Sequence, residues 1–194
     1  MENPSELLPE SNARDRFNNW IAISVALLAA FMAVTKVKDD NIVQAMLQAK
    51  TDAVDTWSEY QAKRIKHHLL ESGRDQTRAI LTIASSPQAA AQLNEQMKRD
   101  ESEIIRYQDE ESELQNKARA LEQQYDALNY RDDQFDLSDA FLSVALAMLA
   151  VTALTRKRWL LWTSLVFGAF GFIMGLAGLI GWKIHPDWLT KLLS

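Results

Sequence analysis

His67 and His68 stand side by side, with Lys63, Arg64 and Lys66 just before them and Glu71 four residues after His67. An imidazole and a carboxylate at i, i+4 share one helix face and could begin a metal site. Two ligands are too few for zinc, and adjacent histidines on a helix diverge by about 100°. The basic cluster could bind an anion or a lipid headgroup. Its spacing better suits partner charges for the acidic run Asp109-Glu110-Glu111-Ser112-Glu113. Asp39, Asp132 and Asp139 form a second group. They could ring a cation vestibule in an oligomer, or act as solvated acids that set depth at a membrane edge.

No P-loop, GxSxG, HExxH or glycine-rich nucleotide loop is present. The chain has no cysteine, which removes disulfides, thiolate metal sites and Cys nucleophiles. These residues lead us to expect no catalytic site, no metal and no cofactor, and a protein that is not an enzyme. A net charge of −5 gives no basic stripe for nucleic acid.

The elements that carry these residues follow from segregation rather than from averages. Mean hydropathy is only −0.21, yet Trp20–Thr35, Phe141–Thr155 and Leu160–Trp182 contain no Asp, Glu, Lys, Arg or His. A membrane span needs about 20 mostly apolar residues. The expected fold is an all-α membrane protein: three transmembrane helices, with a long antiparallel coiled-coil hairpin between the first and second. The expected layout is a flexible tail over 1–17, spans at 18–37, 137–155 and 159–182, and an extramembrane hairpin over 38–136 with its tip at about 73–87. A short basic loop covers 156–158 and an interfacial tail 183–194. The apolar run after Arg14 and Arg16 exceeds a usual signal-peptide core and lacks a small-residue cleavage site, so it reads as an uncleaved anchor.

A 4-3 spacing runs through membrane and water alike. In the first helix it takes in Asp39, Met46, Ala49, Ala53 and Tyr60; in the second, Leu114, Leu121, Tyr125, Leu128, Asp132 and Asp139. Sustained repeats of this kind indicate a coiled coil. Aligning the membrane boundaries of the two arms sets Met46 against Leu128, Ala49 against Tyr125, Ala53 against Leu121 and Tyr60 against Leu114. A break is expected at Gly73, with the chain reversing at Ser85–Pro87.

Gly168, Gly171, Gly175 and Gly178 form one stripe on the third span, of the kind that lets membrane helices approach closely. Ala22, Ala26, Ala29 and Ala33 make a similar stripe on the first span, and Ser143, Ala147 and Ala150 on the second. Either a tight bundle within one chain or a seam between copies would use them. Arg156-Lys157-Arg158 is a short basic loop of the kind that stays cytoplasmic. The N-terminus is then cytoplasmic and the hairpin periplasmic.

The stretch Asp55-Thr56-Trp57-Ser58-Glu59-Tyr60-Gln61-Ala62-Lys63-Arg64-Ile65-Lys66 resembles a bacterial family catalogued as domain of unknown function 4337. So do Phe135-Asp136-Leu137-Ser138, Leu154–Trp159 and the glycine-spaced third span. The resemblance covers nearly the whole chain after residue 18. It implies a multi-pass bacterial inner-membrane protein with the same three-span plan, and no activity or catalytic residue. Members of that family often carry a His-rich N-terminal tail; residues 1–17 here contain no His, so no metal role carries over. The expected function is a membrane-anchored coiled-coil scaffold or interaction module of the bacterial envelope, homo-oligomeric through its spans or hairpin, with an unidentified protein as a further partner. The alternative is a small homo-oligomeric channel.

Overall fold

The structure, a computed structural model, describes residues 8–182, with side chains from residue 16. The expected C-terminal tail, with His185, lies outside the described residues. Three helices account for the described residues, with no strand among them: α1 (Leu8–Ile83), α2 (Pro87–Thr155) and α3 (Arg158–Ile180).

Helix boundaries follow local chemistry. Proline opens α2 at its first position, where its missing N–H costs nothing. Arg156 ends it in a left-handed conformation, φ 56°, and donates its backbone N–H to the Thr152 carbonyl at 2.8 Å. The connection to α3 is therefore Arg156-Lys157, with Arg158 already helical. Gly181, at φ 79°, closes α3, and the N–H groups of Gly181 and Trp182 converge on the Ala177 carbonyl. Glycine takes that backbone without a β-carbon penalty.

One boundary differs from expectation. The helix passes through Gly73 without a break. A glycine inside a helix costs only about 1 kcal/mol, and the turn is carried on as Thr77 Oγ1 donates to the Gly73 carbonyl at 3.0 Å. α1 starts at Leu8, and residues 1–7 of the expected tail lie outside the described residues.

The chain divides into two compact units. One comprises the segments up to Ala45 and from Ala127 onward; the other is Met46–Asp126. The first unit holds the apolar parts of all three helices. Its core includes Phe135, Leu137, Leu142, Leu149 and Met174, with Leu142 and Leu149 fully buried. Leu27, Val34, Leu154, Val166 and Ile173 are exposed on its outside, as suits residues facing lipid. Each helix includes a segment long and apolar enough to cross a membrane.

The second unit is built from one stretch of α1 and one of α2. Ala49, Ala53, Thr56, His67 and Thr77 of α1 are buried, with Ile104 and Ala118 of α2. Tyr60, Leu114, Leu121 and Tyr125 are half-buried. Cross-helix contacts join Lys50 to the Tyr125 ring, Trp57 to Glu122, Lys63 to Glu110 and His67 to Glu111.

Candidate functional site

The strongest concentration of unusual chemistry lies in the first unit, where α1 and α2 bring carboxyl groups together. Asp39 is only 4% exposed. Its Oδ2 accepts from Lys36 Nζ at 2.9 Å, while Oδ1 is buried with no protein donor. Asp132, on α2, lies within hydrogen-bond reach of Asp39, and Asp136, Asp39 and Asp133 surround it with like charge. Burial first, and then these neighbours, push the Asp132 carboxyl up to about 6. Asp136 is also raised, chiefly by burial and then by Asp39, with Lys36 opposing. The Asp132 carboxyl can therefore take up and release a proton at about pH 6.

Of the three acids expected at the membrane edge, the structure brings Asp39 and Asp132 together. Asp139 is half-buried one heptad further along α2 and acts through its charge on Asp136. Among the described residues no group of three or more His, Cys, Asp or Glu side chains is arranged to hold a metal ion.

Next to the carboxyls, α2 grips α3 through polar bonds to backbone. Arg131 Nε and Nη2 donate to the Gly178 carbonyl at 3.2 and 2.9 Å. Gln134 Nε2 donates to the Trp182 carbonyl at 2.7 Å, and Ser138 Oγ to the Gly171 carbonyl at 2.8 Å. A guanidinium at a helix C-terminus satisfies orphan carbonyls and complements the helix dipole. The sequence reading missed all three. Their signal was there: Arg131, Gln134 and Ser138 recur at i, i+3, i+7 on one face, just before an apolar run.

The four glycines of α3 are buried against the chain's own helices. A β-carbon at Gly168 would lie 3.0 Å from Leu28; at Gly171, 2.9 Å from Leu142; at Gly175, 2.6 Å from Ser138 Oγ and 2.8 Å from Phe31; at Gly178, 2.9 Å from Phe135. α1 and α2 therefore occupy the stripe. Met46 and Leu128, expected to face one another, are each half-buried but fall in different units.

In the second unit, His67 Nδ1 lies 2.8 Å from Glu111 and its Nε2 3.6 Å from Glu71. His68 pairs with Glu71 at 2.9 Å, and Lys63 with Glu110 at 2.5 Å. Lys63 holds the Glu110 carboxyl below its ordinary range. Much of the basic cluster is thus engaged by carboxylates of its own chain.

These described residues define an all-helical protein with three helices long and apolar enough to cross a membrane. The chain belongs to the DUF4337 family, a domain of unknown function, whose model matches residues 17–181. No curated protein and no solved structure matches it.

Proposed function

We propose that this protein is a membrane-anchored scaffold or interaction module of the bacterial envelope. Three spans hold it in the inner membrane, and the acidic segment between the first two forms an antiparallel coiled-coil hairpin on the periplasmic side. The observation that carries this reading is the inward turn of the 4-3 positions within each unit. Thr35, Asp39 and Ile42 are buried in the first unit, and Ala49, Ala53 and Thr56 in the second, with Met46 half-buried. Cross-helix pairs in which α1 numbers rise as α2 numbers fall, from Lys50–Tyr125 to Lys63–Glu110, support the antiparallel sense.

Asp39 is buried within its own unit, which favours a scaffold over a channel with Asp39 on its axis. The test is in-cell crosslinking of the full-length protein, with a topology reporter fused near Ser86. The reading expects a reporter active outside the cytoplasm and a discrete crosslinked assembly. A cytoplasmic reporter rejects the periplasmic hairpin. A chain that crosslinks to nothing rejects the scaffold. Conductance in planar bilayers that changes with Asp39→Asn would favour the channel instead.

A further inference from the structure

The extramembrane part of α1 carries a second face, opposite the one it turns to α2. Leu47, Val54, Ile65, Leu69, Ile80 and Ile83 are each more than half exposed, from 52% at Ile80 to 78% at Ile83. Between them on the same line stand Thr51, Ser58, Gln61, Ser72 and Gln76, all exposed and all uncharged. Steps of three and four residues from Leu47 to Ile83 average about 3.6, the period of a straight α-helix. The stripe therefore stays on one face without drifting. No Asp, Glu, Lys or Arg lies on it, in a segment otherwise dense in charge. The α2 side of this unit offers only Ile105 as an exposed large aliphatic residue. A long exposed apolar face that is kept free of charge marks an interaction surface.

The charge pattern selects the partner. Copies inserted in one membrane with one orientation present α1 in the same direction, so a twofold pair sets each residue against its own copy. Any ionisable residue on such a stripe would meet a like charge; this stripe has none.

We propose that the exposed face of α1 from Leu47 to Ile83 is a parallel self-association surface, which pairs two copies in register along the hairpin. This rests on the reading of residues 38–136 as extramembrane, and it assigns the seam to the hairpin rather than to the glycine stripe of α3.

The chain has no cysteine, so single cysteines report cleanly. Ser58→Cys and Ser72→Cys sit on the stripe; Asn116→Cys and Gln123→Cys sit on exposed positions of α2. With full-length protein in native membranes, mild oxidation should give several-fold more disulfide dimer at Ser58 and Ser72 than at the two α2 sites. Adding Ile65→Glu and Leu69→Glu to Ser72→Cys should abolish that dimer with helical content unchanged, since both positions are exposed. Equal yields at all four sites, no dimer at either serine, a dimer that survives the glutamates, or capture of a different protein instead would each overturn the proposal. Maleimide labelling separates this failure from that of the underlying reading. A Ser58→Cys that labels in opened vesicles but does not dimerise sinks only the seam. One that does not label even in opened vesicles sinks the extramembrane hairpin as well.

Discussion

Gly171 of α3 and Leu142 of α2 are packed backbone to backbone: a β-carbon on the glycine would fall 3.0 Å from the Leu142 amide nitrogen and 3.1 Å from the Ser138 carbonyl oxygen. Side-chain rotation cannot relieve contacts with main chain. Gly171→Ala should therefore destabilise the three-helix unit by about 1–3 kcal/mol, the usual cost of overpacking. Gly168→Ala should cost less, because its nearest neighbour is the flexible end of Leu28. Thermal unfolding in detergent micelles ranks the two; equal losses would refute the main-chain contact.

The raised carboxyl of Asp132 gives the first unit a pH dependence of known sign. Its folded value, about 6, lies above the ordinary value of 3.8. Folded protein thus holds this proton more tightly than unfolded protein does. The resulting stabilisation is complete below about pH 4 and is lost as pH rises through about 6. Asp132→Asn should flatten this dependence and stabilise the protein at neutral pH by about 1 kcal/mol, after allowance for partial exposure. An unfolding profile in which the variant keeps the same slope between pH 4 and 7 would count against the raised Asp132 carboxyl.

Arg131 should matter more than its place beside the apolar run suggests. Its two bonds to the Gly178 carbonyl cap α3 from outside. Arg131→Ala should cost about 1–2 kcal/mol, within the range for hydrogen bonds to charged groups. Arg131→Lys should recover only part of this, because a single ammonium does not reproduce the fork. Hydrogen exchange at the last turn of α3 is the direct readout, and unchanged protection in the alanine variant would reject the cap.

The second unit should depend on packing far more than on charge. Ala118 is completely buried, so Ala118→Leu should cost about 1–3 kcal/mol through overpacking. Lys63 and Glu110 are partly exposed. Exchanging them as Lys63→Glu with Glu110→Lys should leave melting nearly unchanged, while either single reversal should lower it slightly at low salt and negligibly at high salt. A large, salt-insensitive loss from the single reversals would show that the pair anchors the unit.

The periodic features of this protein are legible residue by residue. Apolar runs free of charge mark segments able to cross a membrane, because each uncompensated charge is too costly there. The 4-3 positions Ala49, Ala53, Ile104 and Ala118 are buried in the structure because helical geometry alone sets which residues share a face. Gly73 misled for the opposite reason: its local penalty is small and the flanking turns override it.

What the sequence by itself determined is helix content, the apolar segments and the inward faces, all consequences of local periodicity. Tertiary structure alone decided that the glycines of α3 receive Leu28, Leu142, Ser138 and Phe135 of the same chain. It also decided that Arg131 reaches Gly178 and that Asp132 comes within hydrogen-bond reach of Asp39. Those pairings join residues far apart in the chain. Helical periodicity specifies which face a residue occupies, but only packing specifies which face lies across from it.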